Sequence, residues 1–352
     1  MKKVFLLVLF LFCLAMEGCS STSGVNECNH NYEKQETVQA NCYHGGYTNY
    51  RCSLCGKIKT EDNTEALQHE FVEGPDTYIC NKCGHFQDEG FDFKLNPKGT
   101  EYEIIGCGND AIHLGVVDIP LKHYGIPVTK ISNKAFYSKR YFIKELRIHK
   151  NIRTIEGCLF ETTTAQKETK NPIALETVVF DSDCSNIEIS RGAFNQCYIL
   201  SKVEFTVGCF SVITSDTTQF LSSDRYLFQD TVFFKQQAVL EDGMFYIKDL
   251  LLASDGDKLS SNIEIKTGTR IIGNYVFYKN TNLKSVSIPQ SVVAIGYGAF
   301  IDCANLSEYI YKGTKTQFEE IRLNGDVFYR SGLNGKPIGS QANATITYLE
   351  GK

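Results

Sequence analysis

From Ile272 onward, apolar and polar positions alternate in a fixed order. An Ile stands five residues before Phe277, and then Leu283, Val286, Ile288, Val292 and Ile295 lead to the next Phe, at 300. The same Ile-to-Phe spacing occurs at Ile131/Phe136, Ile155/Phe160, Ile189/Phe194 and Ile295/Phe300. Successive Phe are 24, 34, 83 and 23 residues apart, so two intervals are one period and the other two carry insertions. After Phe194 the positions Leu200, Val203, Phe205, Cys209 and Val212 keep the register. After Phe136 the series is Phe142, Leu146, Ile148, Ile152 and Ile155, with one extra residue from Leu146 onward. A unit of this length cannot bury its apolar stripe alone. It does so by stacking on its neighbours, which predicts a solenoid with an extended surface.

Within each unit the Val-x-Ile pair alternates as a half-buried strand does. Pro289 ends one such strand, because it has no N–H to give a central ladder. The segment Gly298–Cys303 is too short for a long helix and suits a tight turn that drives Phe300 inward. The pattern departs at an insertion, 162–172, and over 210–240, where no repeat is legible. Met244–Leu252 reads as a hairpin turning at Lys248-Asp249.

The stretches AFYSKRYFIKELRIHKNIRTI (135–155), GAFNQCYILSKVEF (192–205) and VFYKNTNLKSVSIPQSVVAIGYGAFIDCANL (276–306) resemble the BspA-like leucine-rich repeats of bacterial surface proteins. The lead-in EYEIIG (101–106) with VVDIPLKHYGIPVTKISNKAF (116–136), and the tail YKGTKTQFEEI (311–321) with ATITY (344–348), are similar to that family too. The resemblance implies a mainly β leucine-rich-repeat solenoid with irregular insertions over 90–349, capped at both ends. It also implies a role in binding or adhesion at the cell surface.

Composition narrows the partner. Aromatics make up 12% with no Trp, as a β-rich stack would use, and the net charge is only −5 with no long run of one sign. A nucleic acid or an anionic membrane surface is disfavoured.

The N-terminus sets the compartment. Lys2-Lys3 precedes an apolar run of 12, Val4–Ala15, far short of the roughly 20 residues of a spanning helix. Residues 1–18 read as a secretory signal. Gly18-Cys19 followed by Ser20-Ser21-Thr22-Ser23-Gly24 resembles a bacterial lipoprotein processing site with a polar tether over 19–27, although Met16 and Glu17 depart from that motif. Cys19 would then carry lipid and be the membrane contact. A soluble product cut nearby is the alternative.

Residues 28–89 have a different composition. Cys52-x2-Cys55-Gly56 and Cys80-x2-Cys83-Gly84 are matching knuckles, preceded by Tyr50 and Tyr78. Upstream of each lies His-x-aromatic, as His30-Asn31-Tyr32 and His69-Glu70-Phe71, so the module is a tandem duplication. Thiolate pairs at this spacing chelate zinc with help from a His. In an exported protein the same thiols can instead form disulfides. Histidines at equivalent places in both copies favour zinc, since disulfides do not need them. Copy one offers Cys52 and Cys55 with two of Cys28, His30 and Cys42. Copy two offers Cys80, Cys83 and His69, with His85 as a further candidate. Ligand sets this full would make the metal structural, the staple that a module with so little core needs.

The remaining cysteines carry less. Cys197, Cys209 and Cys303 occupy apolar slots and read as small buried residues, and Cys107 and Cys158 show no base by spacing. A nucleophile-and-base pair can be drawn from Cys184 and His149, but any chain with this many of both residues offers such a pair. Gly106-Cys107-Gly108 lacks the third glycine and following helix of a dinucleotide loop, and Asp255-Gly256-Asp257 lacks the ligand series of a calcium loop.

What remains is the outward face of the repeat strands. If Leu146/Ile148, Val178/Phe180, Val203/Phe205 and Val286/Ile288 point inward, then Glu145/Arg147, Thr177/Val179, Lys202/Glu204 and Ser285/Ser287 point outward. That ladder mixes signs, which suits an extracellular protein or glycan better than a polyanion. The leading expectation is a non-catalytic binding protein that uses Arg147, Val179, Glu204, Ser287, Glu145 and Lys202, with no small-molecule substrate. A spacer that presents the Cys/His module is the runner-up, and a secreted enzyme comes third.

Overall fold

In the computed structural model the described residues are 28–160, 172–214, 227–327, 330–331, 337–338 and 344–349. The leader, the tether with Cys19, and all of the 162–172 insertion but its last residue lie outside them. The chain divides into two compact units, 1–67 and 68–352.

The first unit is a three-stranded antiparallel sheet of β1 (Tyr32–Val38), β2 (Tyr47–Cys52) and β3 (Ile58–Glu61). The second opens on a hairpin of β4 (Phe71–Glu73) and β5 (Tyr78–Cys80). It continues as β6 (Phe91–Leu95), antiparallel to β7 (Tyr102–Cys107), and then enters the repeat. The first repeat strands are β8 (Val116–Asp118), β9 (Lys122–His123), β10 (Ile126–Ile131), β11 (Glu145–Ile148) and β12 (Thr154–Ile155). They are followed by β13 (Thr177–Phe180), β14 (Ile187–Ser190), β15 (Lys202–Glu204) and β16 (Phe210–Thr214).

Each coil contributes two strands. The Val-x-Ile strand joins a parallel sheet ordered β8-β11-β13-β15, and the short strand that ends near the repeat Ile joins a second one, β7-β10-β12-β14-β16. After β16 comes the short helix α1 (Val232–Gln237), capped by Thr231, whose hydroxyl accepts from the Phe234 N–H at 3.0 Å. The antiparallel run β17 (Val239–Glu241), β18 (Met244–Ile247) and β19 (Leu250–Ser254) restarts the stack, with the expected turn at Lys248-Asp249. The second half repeats the scheme with β20 (Asn262–Glu264), β21 (Ile271–Ile272), β22 (Ser285–Ile288), β23 (Ala294–Ile295) and β24 (Glu308–Tyr311). It closes with α2 (Lys315–Glu319), β25 (Arg322–Leu323), the pair β26 (Arg330–Ser331) and β27 (Pro337–Ile338), and β28 (Thr345–Tyr348). Its parallel sheets run β20-β22-β24-β28 and β19-β21-β23-β25. As expected of Pro289, β22 stops at Ile288.

The turns carry the core. Ile131, Phe136, Ile155, Phe160, Phe194, Phe277, Ile295 and Phe300 are all buried. Phe136 packs on Phe160 with ring centroids 5.4 Å apart, and Phe277 stacks on Phe300 at 5.2 Å, 14° from parallel. The backbone of one turn bonds to the next: Phe136 N–H donates to the Leu159 carbonyl, Phe277 N–H to Ala299, and Phe300 N–H to Val327. Two residues before the Phe the chain is left-handed in four coils, at Lys134 (φ 63°), Cys158 (53°), Tyr275 (56°) and Gly298 (66°). Only at Gly298 is that conformation free of the Cβ penalty.

The reading of 210–240 as outside the repeat is corrected. β16 extends the second parallel sheet beside β14, and Phe228 lies over Phe194 at 5.5 Å, 11° from parallel. Phe228 stands 34 residues after Phe194, the interval that already separates Phe160 from Phe194. No Ile precedes it by five, which hid this coil from the spacing test.

Phe300 is fully buried between Phe277 and Tyr309. Phe300→Ala should therefore cost about 3–5 kcal/mol of stability in urea unfolding. A loss below about 1 kcal/mol would contradict its place in the stack.

Candidate metal centres and repeat surface

Both knuckles close through one hydrogen-bond scheme. In the first, Cys52 N–H donates to the Lys57 carbonyl at 2.8 Å and the Cys52 carbonyl accepts from Gly56 N–H at 2.9 Å. In the second, Cys80 N–H donates to His85 and the Cys80 carbonyl accepts from Gly84 N–H, both at 2.8 Å. The tie to the His-x-aromatic strand also recurs, with Ser53 N–H to the Asn31 carbonyl at 2.9 Å and Asn81 N–H to Glu70 at 3.0 Å. Gly56 (φ 74°) and Gly84 (φ 77°) sit where a left-handed residue is required, which explains a glycine after each second cysteine. The duplication is one of structure as well as of spelling.

Within the first unit this scheme gathers Cys28, His30, Cys52 and Cys55, with all four ligand atoms within 4.8 Å of one another. The Cys28 and Cys52 sulfurs are 3.9 Å apart, and Cys55 Sγ lies 3.2 Å from His30 Nδ1. A tetrahedral zinc with Zn–S near 2.3 Å sets sulfurs roughly 3.8 Å apart, whereas a disulfide needs about 2.05 Å. The donor set fits a metal. Cys42, the other candidate for copy one, is buried outside this set. Burial pushes the Cys52 thiol up, but hydrogen bonding by His30 and by the Cys55 and Leu54 backbone outweighs it and brings the thiol to about 6. In the second unit His69, Cys80 and Cys83 likewise lie within 4.8 Å of one another. His85 is outside that set. Its Nδ1 faces Glu89 at 3.3 Å, and its ring stacks on His69 at 4.8 Å.

The outward ladder is real but interrupted. Asp118, Arg147, Val179 and Glu204 stand in register across β8, β11, β13 and β15, and Val116, Glu145, Thr177 and Lys202 form the adjacent row. Arg147 donates to Glu145 at 2.6 Å and to Gln68 at 3.1 Å, with Asp118 at 3.6 Å, and Lys202 pairs with Glu204 at 2.7 Å. Burial pushes the Asp118 carboxyl up to about 6 despite Arg147. Ser287 belongs to the other sheet, in a row with Glu264, Ile310 and Thr347. The single ladder expected from the sequence is therefore two, because the antiparallel β17–β19 segment stands in the chain between β15 and β20. Asp118 was missed although Val117-x-Ile119-Pro120 spells the same strand-and-stop as Val286-x-Ile288-Pro289.

The Cys184/His149 pair is held for structure. Cys184 Sγ donates to the Ile148 carbonyl at 3.3 Å, and burial pushes its thiol up to about 12. His149 bonds the Pro120 carbonyl through Nε2 at 2.8 Å and accepts the Asn151 N–H at Nδ1, so both ring nitrogens are committed. Burial likewise raises Cys107, Cys209 and Cys303 to about 12.

The family follows from the repeat. The profile of the BspA type leucine-rich repeat region matches residues 129–246 and 254–332 in six copies, more than half of the chain. The chain belongs to the BspA-type leucine-rich repeat family. Similar solved structures include a leucine-rich repeat protein of T. pallidum, 20% identical over 63% of this chain and 69% of that one, with a TM-score of 0.27. Another, from Bacteroides ovatus, is 18% identical over 63% and 70%, TM-score 0.29. A leucine-rich cell surface protein of Faecalibacterium prausnitzii is 16% identical over 71% and 98%, TM-score 0.22. Among curated proteins nothing matches the chain.

His149 gives a pH prediction. Burial, opposed by the Pro120 carbonyl, holds its imidazole down to about 4, against about 6.5 in the unfolded chain. Its contribution to stability is thus complete above pH 6.5 and is lost as pH falls toward 4, where only the unfolded chain takes up the proton. The urea midpoint should slope downward across that window, and His149→Asn should remove part of the slope. A slope identical in the variant would refute the assignment.

Proposed function

We propose that this chain is an exported, non-catalytic binding protein displayed at the cell surface, which engages an extracellular protein or glycan through the outward rows of its repeat sheets. The observation that carries this reading is the in-register row Asp118–Arg147–Val179–Glu204 with its neighbour Glu145–Thr177–Lys202. The row repeats one geometry coil after coil, so many modest contacts add along the array. The mixed signs pair among themselves, which suits a partner of mixed charge and leaves no field for a polyanion.

The test is binding to an array of extracellular-matrix proteins and glycans. Replacing Lys202 and Glu204, both exposed, with Ser should weaken capture by about tenfold without loss of the folded signal, and Arg147→Ser added to them should weaken it further. Unchanged capture, combined with loss on deleting 28–67, would make the solenoid a spacer that presents the N-terminal module.

In this reading the knuckles are structural zinc sites. Cys28, His30, Cys52 and Cys55 hold one ion, and Cys80, Cys83 and His69 contribute to a second. Protein purified under reducing conditions without added metal should contain zinc, and Cys52→Ser with Cys55→Ser should lose about one equivalent. Thiols recovered wholly as native disulfides, with no metal, would overturn this.

Display at the surface rests on the leader and on lipid at Cys19, since several acyl chains anchor stably where one does not. Cys19→Ala should move the protein from the membrane fraction to the medium. Unchanged fractionation would leave plain secretion.

A further inference from the structure

One concavity uses none of the cysteine sets or sheet rows. It lies at the turn that holds Phe277, encloses about 360 Å³, and is walled by Ser254, Asp257, Tyr275, Tyr278, Asn280 and Asn282. That volume is within the range of about 300–1,000 Å³ typical of small-ligand sites. Two left-handed residues frame it, Tyr275 (φ 56°) and Lys279 (φ 61°), two before and two after the buried Phe277. Both turn positions are left-handed in other coils too, the second at Gln196, Asp230 and Asp302, so the backbone belongs to the repeat and only the side chains are particular to this coil. The other coils place Lys134, Cys158 or Gly298 where this one has Tyr275. The paired tyrosines belong to this coil.

The lining decides the ligand. The Tyr275 ring meets both Tyr278 and Tyr297 edge to face, each at 5.4 Å, and so braces the half-buried Tyr278. Lys279 Nζ stands 5.1 Å from the centre of the Tyr278 ring. Around them are one carboxylate, one ammonium, two amides and hydroxyls. The opposite charges of Asp257 and Lys279 balance, so a polyanion gains nothing here. A purely apolar guest would strip water from Asp257, Asn280 and Asn282 and give no hydrogen bond in return. An extended peptide can bind by adding to an open strand edge, but this wall is turn except at the end of β19, where Ser254 pairs with Met244 of β18. The chemistry that uses both halves of the lining is a saccharide, which lays the C–H face of a ring on a tyrosine and offers hydroxyls that donate to Asp257 and pair with the Asn282 amide. Asn280, whose amide oxygen accepts from the Asn282 and Leu283 N–H groups, shapes the turn and keeps its NH2 for the ligand.

We propose that the turn pocket formed by Tyr275, Tyr278, Asp257, Asn280 and Asn282 is a subsite for a neutral oligosaccharide. It rests on the reading above only in that the ligand is bound and not turned over.

Saturation-transfer NMR and calorimetry on the full chain test it, with maltotriose, cellotriose and N-acetylchitotriose as probes and a heparin fragment as the charged contrast. At least one neutral trisaccharide should bind and the heparin fragment should not. Tyr278→Ala should weaken that binding by about tenfold or more. Tyr278 is half-buried, so Asn282→Ala at an exposed position serves as the second variant and should weaken binding several-fold with the fold unchanged. The Lys202/Glu204 variant should bind the same sugar as tightly as the unaltered protein. No binding of any neutral trisaccharide, or binding that survives both pocket variants, would overturn the subsite. Sugar binding lost with the sheet variant alone would overturn the subsite while sparing the sheet reading.

Discussion

The stacking of one turn on the next is the interaction on which the rest of the repeat depends. A single coil has a strand of four residues, a shorter one of two, and a turn, and none of these buries an apolar surface by itself. Burial comes when Phe136 meets Phe160, Phe194 meets Phe228, and Phe277 meets Phe300. The turn N–H groups are satisfied across the same contact, so apolar packing and backbone pairing are made or lost together. To bring the Phe inward the chain accepts left-handed backbone at Lys134, Cys158 and Tyr275, a cost of roughly 1–2 kcal/mol each that the buried ring more than offsets.

Surface chemistry follows from this inward demand. Because alternate strand residues must enter the core, the others stand in fixed rows, and the parallel register sets Arg147 beside Val179 and Asp118 with no freedom to slip. The turns are under less constraint. One position there can be Lys in one coil, Cys in another, Tyr in a third and Gly in a fourth, so the turns are where a single coil can differ from its neighbours. The knuckles solve the opposite problem. Strands β1 and β3 expose much of their length, and the ring of Cys28, His30, Cys52 and Cys55 converges where apolar material is scarce.

Where the sequence was informative, the reason was local periodicity. The Ile-to-Phe spacing and the Val-x-Ile alternation located β11, β13, β15 and β22, and they placed Ile131, Phe136, Ile295 and Phe300 inside. The doubled Cys-x2-Cys-Gly foretold two equivalent knuckles, since the glycine is a conformational requirement readable from its position. Phe228 escaped because its coil keeps the Phe but not the Ile five residues earlier. The split of the outward rows escaped because it is set by sheet pairing across β17–β19, which no spacing rule sees. The choice of Cys28 and His30 over Cys42 escaped for a similar reason: β1 pairs with β2 with Tyr32 opposite Cys52, a register that brings His30 and Cys28 to the knuckle. The Tyr275/Tyr278 pocket is a property of one turn and leaves no periodic trace.

The central claim, that coils are stabilised by their immediate neighbours through the Phe column, is tested most directly by double-mutant cycles read in urea unfolding. Phe277→Leu and Phe300→Leu should couple by about 0.5–1.5 kcal/mol. Phe136→Leu with Phe300→Leu, which belong to coils on either side of the β17–β19 segment, should be additive within about 0.5 kcal/mol. Additivity for the adjacent pair, or coupling of equal size for the distant one, would contradict nearest-neighbour stacking as the source of the fold.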